Sequence, residues 1–140
     1  MSRTLIAGLR TIPMALVMGI IFFLSAQPGD TLYLPPFPGI DKLAHLAAYG
    51  VLAASVLFAF SSGFRESKPS TVFSFTVVFC LGYGISDEVH QVFVPGRSPS
   101  GFDIFADACG ALLVCGLWLG WKRNRQARTA PAVKEMRAVL

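Results

Sequence analysis

The sequence predicts an all-α, polytopic membrane protein: a compact bundle of four transmembrane helices with both termini cytoplasmic. Composition is the first reason. Of 140 residues 54% are hydrophobic and only 14% charged, with a mean hydropathy of +0.58, whereas a soluble domain carries about 25% charged residues. The second is length: four apolar stretches each run about 20 residues, which is what a bilayer core demands of a helix. The third is the placement of positive charge, since all Lys and Arg except Lys42 and Arg97 fall on one side of the alternating path.

The first span runs from about Ile6 to Ala26. Arg3 and Arg10 followed by "IPMALVMGIIFFLSA" also resemble the basic and apolar parts of a signal peptide, but Leu24 stands where cleavage wants a small residue, so a retained helix is favoured. The connector "QPGDTLYLPPFPGI" (27–40), rich in Pro and Gly and carrying Tyr33 and Phe37, cannot continue a helix and reads as an ordered interfacial lid or a plain connector, with no chemistry assigned to Asp30. The second span is Leu43 to Phe60. The loop "SSGFRESKPS" separates it from the third, Thr71 to Val94. Pro95 and Gly96 turn the chain into the fourth, Phe102 to Trp121. A basic tail, 122–140, follows as a loosely ordered or surface-lying segment, so one domain covers 1–140 with its bundle at 6–121.

Arg3, Arg10, Arg65, Lys68, Lys122, Arg123, Arg125, Arg128, Lys134 and Arg137 put the termini and the 61–70 loop inside and the 27–40 and 95–100 loops outside. Trp118 and Trp121 suit the inner interface. The basic tail is an orientation signal attracted to anionic headgroups, and nothing else points to nucleic acid. Cys80, Cys109 and Cys115 lie in apolar runs without metal or redox spacing, as small buried hydrophobes do. Ala44/Ala48, Ala106/Gly110 and Gly116/Gly120 are small residues four apart, suited to close helix contact. Phe22, Phe23, Phe58, Phe60, Phe73, Phe75 and Phe79 face lipid or neighbouring helices.

Polar residues gather at one depth. Asp41, His45 and Tyr49 share a face of the second span through i, i+4, i+8 spacing; Asp87, Glu88 and Gln91 form an arc on the third; Asp103 and Asp107 are i, i+4 on the fourth. All lie within about two turns of the outer boundary, and they include five of the eight acids in the chain. Singly, each has a structural reading. Asp41 suits the N-cap of the second span, Asp103 the positive end of the fourth, and His45 a hydrogen-bonded structural role. Glu88 and Asp107, deeper and among Ala, Cys and Val, have none. Carboxylates so crowded must be protonated, paired with Arg97 and His45, or bridged by a cation. Arg97 presents a fork of donors for a carboxylate or an anionic ligand. Ionisable groups at membrane depth mark a functional site by default.

The motifs "DKLAHLAAYG", "SDEVHQVFVPGR" and "DIFADACG", in this order, resemble the VanZ-like family of small membrane proteins over nearly the whole chain to Trp121. The family pattern falls on Asp41, Lys42, His45, Tyr49, Glu88, Gln91, Pro95, Arg97, Asp103, Asp107 and Gly110, departing at Asp107, where many relatives have Asn. The resemblance implies a place in the cell envelope and a link to resistance against glycopeptide antibiotics, particularly lipid-tailed ones, without a defined reaction.

Together these readings give a multi-pass protein of the cytoplasmic (inner) membrane whose outward-facing polar pocket engages a lipid-linked or anionic envelope compound. His45, Glu88, Gln91 and Asp107 are the candidates for chemistry, with Asp41, Lys42, Tyr49, Asp87, Arg97 and Asp103 the candidates for holding ligand. Three mechanisms stay open: a binder; a hydrolase or transferase at a lipid phosphate, with Glu88 or His45 as base; and a proton-coupled transporter. Should a cation assist, the oxygens of Glu88, Asp103 and Asp107 suit Mg²⁺, Mn²⁺ or Ca²⁺. Oligomerisation is left open.

Overall fold

The computed structural model describes residues 2–29 and 38–138, with the backbone alone for Arg3, Thr4 and 129–138. Asp30, Tyr33 and Phe37 of the Pro-rich connector lie outside the described residues, as do the side chains of Arg3, Lys134 and Arg137. Five helices make up the described chain: α1 (Arg3–Ser25), α2 (Ile40–Ala59), α3 (Ser62–Ser67), α4 (Pro69–Gln91) and α5 (Gly101–Ala138). Four of them, all but α3, are long and apolar enough to cross a membrane. A 20-residue helix spans about 30 Å, the thickness of a hydrocarbon core.

α2 sits at the centre, packed along α5 and flanked by α1 and α4, while α1 is peripheral. Tyr49, Leu52, Val56, Val72, Thr76, Cys80, Asp107 and Cys115 are fully buried between α2, α4 and α5. Outward, Phe22, Phe23, Phe58, Phe75, Val78, Leu113 and Leu117 are exposed, which is the arrangement lipid rewards. Phe60, Phe73 and Phe79 pack partly against the core. In the core, the hydroxyls of Ser55 and Thr76 donate to the carbonyls of Leu52 and Val72 in their own helices, so neither is left wanting a partner. Cys80 and Cys115 are buried and Cys109 half-buried, all three as free thiols.

Close approach of α2 and α5 depends on Gly110. A Cβ there would overlap the carbonyl oxygen of Leu46 and stand 3.0 Å from the amide nitrogen of Gly50. Gly116 and Gly120, by contrast, meet nothing within 4 Å. That pair was expected at a helix contact; it lies on the open face of α5.

Three boundaries differ from the sequence expectation. α4 ends at Gln91, not Val94, because Pro95 excludes the residue before it from helix. The chain then closes a turn, the Arg97 N–H donating to Val94 O at 3.2 Å with Gly96 at φ 74°. Pro at the second position and positive φ at the third define a type II turn. The 61–70 loop contains α3, started by the Ser61 hydroxyl accepting from Phe64 N–H. The basic tail is not loose: α5 continues unbroken through it to Ala138, consistent with the helix propensity of its Arg, Gln and Ala.

At the end of the bundle holding α3, cations close helix termini. Arg65 donates to Leu57 O, Arg10 to Phe60 O, and the Lys122 ammonium to the carbonyls of Arg65 and Glu66. Each meets the negative end of a helix dipole and a carbonyl with no intrahelical donor.

Candidate functional site

The opposite end collects the polar residues that the sequence singled out, in two adjoining groups. Between α2, α4 and α5, His45 Nδ1 is 3.0 Å from Asp107 Oδ1. Asp107 is wholly buried, and its second oxygen has no partner among the described residues. It lies against Gly84, where a Cβ would come within 2.7 Å of Oδ2, and beside the Tyr49 ring. The Tyr49 hydroxyl is likewise buried without a partner among the described residues. One helical turn along α5, Asp103 pairs with the Lys42 ammonium at 2.5 Å, and Lys42 also reaches Asp41 at 2.8 Å. Glu88 accepts from the Ser100 N–H through Oε2 at 2.7 Å, and its Oε1 is buried and unpartnered among the described residues. His45, Glu88 and Asp103 each bring a ligand atom to within 4.8 Å of the others'.

The second group lies between α1 and α4. The Ser25 hydroxyl donates to Asp87 Oδ2 at 2.8 Å, and the Gln91 amide donates to the same oxygen at 3.2 Å and to Ser25 Oγ at 3.4 Å. Asp87, Glu88 and Gln91 do not form one arc. Asp87 and Gln91 turn to α1, and Glu88 turns to the start of α5. The i, i+4 pair therefore keeps one face and its neighbour takes another, as helix geometry requires.

Two structural roles also move. Asp41 does not cap α2; Gly39 occupies that position, and Asp41 sits in the first turn, half in solvent, against Lys42. Arg97 neutralises no carboxylate among the described residues. Its Nε donates to Gln27 O at 3.2 Å and a terminal nitrogen to Leu24 O at 3.0 Å, closing the C-terminus of α1. The 27–29 segment rests on the same turn: Gly29 N–H donates to Pro95 O, and a Cβ at Gly29 would overlap the Gly96 carbonyl. Lys42 takes the ion-pairing role expected of Arg97.

A cavity of about 170 Å³ opens between α1, α2 and α4. Ile21, Leu24, Ala44 and Ala48 form its apolar wall, and Ser25, Asp41, His45, Tyr49, Asp87, Gln91 and Arg97 its polar side. The face predicted for α2, Asp41–His45–Tyr49, thus lines one space. Glu88, Asp103 and Asp107 stand behind it, joined to it through His45.

The family model VanZ/LLP1 matches residues 11–122. The chain belongs to the VanZ/LLP1 family. The match takes in α2, α4, the joining turn and α5 through Lys122, which hold nearly all the site. Searches of curated proteins and of solved structures returned no match. Within this VanZ/LLP1 chain the sequence reading missed Ser25, the hydroxyl that joins α1 to Asp87. One signal was legible: a hydroxyl in an otherwise apolar span, at the same depth as the acids. It also missed the Tyr83 hydroxyl, which donates to Met18 O at 2.7 Å and ties α4 to α1.

Proposed function

We propose that this VanZ/LLP1 protein is a cell-envelope membrane protein that holds one end of an amphiphilic envelope compound in the cavity between α1, α2 and α4. The observation that carries this is the cavity's two-sided lining, aliphatic along α1 and α2 and polar at Ser25, Asp87, Gln91 and Arg97. A volume of about 170 Å³ equals the share of five or six waters at about 30 Å³ each. It takes the junction of a headgroup and tail, with the rest of the tail lying along the outer face of α1. Asp87 offers acceptor capacity to hydroxyl or amine donors of the head. Arg97 spends two of its five N–H donors on carbonyls, which leaves three for an acidic or carbonyl oxygen.

On this proposal the polar end of the bundle faces outward, as the distribution of Lys and Arg favours, where lipid-linked wall intermediates and lipid-tailed glycopeptides are both met. The association with glycopeptide resistance is what the family's name suggests, and it is part of this proposal. Ser25 belongs to the first helix, so a retained α1 is part of the proposal: without it Asp87 keeps only the weaker of its two donors, Gln91. The test is photo-crosslinking of the purified protein in nanodiscs with a phospholipid carrying a diazirine near the head of its acyl chain. Adducts are expected at Ile21, Leu24 and Ala44, and Ala48→Phe, which fills the cavity, should remove them while adducts on the exposed Val78 persist. Labelling confined to the outer faces in the wild type would dismiss the cavity as a lipid site.

A second reading, chemistry at a lipid phosphate, is favoured by His45 on the cavity wall with Asp107 directly behind it. Asp107 fixes the imidazole, leaving one ring nitrogen to take a proton. Turnover of a phosphate ester that is lost in His45→Gln, with crosslinking intact, would establish it over simple binding.

A further inference from the structure

We infer that His45, Glu88 and Asp103 form a binding site for one divalent first-row transition cation, of the Mn²⁺ or Zn²⁺ class, held between α2, α4 and α5 with Asp107 positioning the histidine. The site is argued independently of the amphiphile cavity.

Geometry comes first. Three potential ligand atoms, one from each helix, lie within 4.8 Å of one another. An ion central to three atoms at that outer spacing stands about 2.8 Å from each, and ligand bonds are about 2.1 Å, so inward shifts of at most about 0.7 Å per side chain close the shell. The donor set follows from the hydrogen bonds. Asp107 takes His45 Nδ1, so the site requires Nε2, the other ring nitrogen, as the ligand atom. A carboxylate holding the far nitrogen of a metal-bound imidazole is a recurrent arrangement that fixes the ring and raises its basicity. Glu88 is 5% exposed; Oε2 accepts from Ser100 N–H and Oε1 has no partner among the described residues. A buried carboxylate oxygen without a donor costs far more than it returns unless something fills the place. Asp103 Oδ1 is buried, ion-paired to Lys42 and without a hydrogen-bond donor among the described residues.

Charge points the same way. Glu88, Asp103 and Asp107 are 5%, 6% and 0% exposed, and Lys42, the ammonium paired with Asp103, is shared with Asp41. A dication supplies positive charge where these acids are crowded. The set therefore differs from the all-oxygen trio of Glu88, Asp103 and Asp107 expected from sequence. Replacing one carboxylate by an imidazole moves preference from Mg²⁺ and Ca²⁺ towards Mn²⁺, Fe²⁺ and Zn²⁺.

The test uses the full chain in detergent, stripped with EDTA, and titrated with Mn²⁺ under electron paramagnetic resonance, with Zn²⁺ as competitor. One saturable Mn²⁺ per chain, displaced by Zn²⁺, is expected. Glu88→Gln and Asp103→Asn should weaken it at least 100-fold. Asp107→Asn should weaken it by about 10- to 100-fold, the usual loss when a partner of a ligating histidine is removed. Glu66→Gln, a carboxylate change near α3 at the opposite end, should leave it unchanged. If the Glu88 or Asp103 variant does not elute and unfold as the wild type does, pulsed resonance on wild-type protein decides instead. Nitrogen coupling from one imidazole is then expected, and its absence would overturn the site. Failure of folded wild type to bind any ion saturably, or full affinity in both Glu88→Gln and Asp103→Asn, overturns it equally. No lipid probe enters these measurements, so their failure leaves the cavity reading standing, and the crosslinking result leaves the metal site untouched.

Discussion

Gly110→Ala puts the central contact of the bundle under test. The added Cβ would overlap the Leu46 carbonyl and lie 3.0 Å from Gly50 N. Both are helix backbone, so neither can rotate aside as a side-chain tip would. α2 and α5 must separate until the methyl reaches ordinary contact, a shift of about 1 Å or more given carbon contacts of about 3.5 Å. Overpacking costs about 1–3 kcal/mol and a rigid neighbour puts this case at the upper end. Alanine returns about 1 kcal/mol of helix propensity over glycine. The net loss is then about 2 kcal/mol, roughly a 30-fold shift in the folded fraction. The consequence for the site is larger. His45 and Asp107 flank this contact at 3.0 Å, and widening by about 1 Å takes the pair outside hydrogen-bond range. Equilibrium unfolding by SDS titration in mixed micelles measures the first effect, and the downfield imidazole proton in NMR reports the second. Gly116→Ala is the control, because nothing lies within 4 Å of its Cβ position. Equal stability of the two variants, with the imidazole proton kept in both, would refute the claim that Gly110 sets the α2–α5 distance.

Arg97→Ala should lower stability by about 2 kcal/mol, since it removes two charge-assisted bonds to carbonyls at a partly exposed helix end; Arg97→Lys should lose about half of that, and thermal unfolding in detergent distinguishes them from a site defect without instability. Ser25→Ala should cost about 1 kcal/mol, within the range for hydrogen bonds between membrane helices, and unfolding by the same assay as Asp87→Ala should show the two losses to be non-additive if Ser25 and Asp87 act as a pair. A cysteine at Ser98 should react with a membrane-impermeant maleimide in intact cells while one at Ser67 should not; the reverse pattern would invert the topology and remove the outward-facing site. Glu88→Gln should leave stability within about 0.5 kcal/mol, because the amide oxygen still accepts from Ser100 N–H and one of several crowded charges is gone; a drop of 3 kcal/mol would make Glu88 a structural carboxylate.

Apolar length and helical spacing are local properties, and they made the bundle legible. Four spans, the shared depth of the acids and the common face of Asp41, His45 and Tyr49 all follow from 1.5 Å and 100° per residue. The Val94–Arg97 turn followed from Pro95 and Gly96 alone. Partner choice across helices was not legible, because it depends on helix rotation, which periodicity within one span leaves free. Arg97 looked like a counter-ion since it neighbours carboxylates in sequence, yet in space it donates to the carbonyls of Leu24 and Gln27 at the end of α1 and just past it. Lys42 was a candidate for holding ligand, yet it lies across from Asp103 and pairs with it. Ser25 is invisible until α1 docks on α4. The run of α5 beyond Trp121 was masked by its charge, which says nothing against helix once the chain has left the apolar layer.

The structural duties of these side chains now separate from what remains. Arg97 closes α1, Glu88 Oε2 secures the start of α5, Lys42 balances Asp103, and Ser25 with Gln91 satisfies Asp87. Subtracting them leaves Glu88 Oε1, Asp107 Oδ2 and the Tyr49 hydroxyl, each buried and without a partner among the described residues, and the second nitrogen of His45. An unsatisfied buried polar group costs about 1–3 kcal/mol, more when charged, so three in one place amount to several kcal/mol against a whole-domain stability of about 5–15 kcal/mol. Apolar residues of the same volume would be cheaper at each position. A fold can carry such a cost when an ion, water or substrate group completes the set, and Glu88 and His45 stand where a cation would complete it. Asp107 then has the second task of orienting His45, and Tyr49 lines the cavity with its hydroxyl buried and without a partner among the described residues.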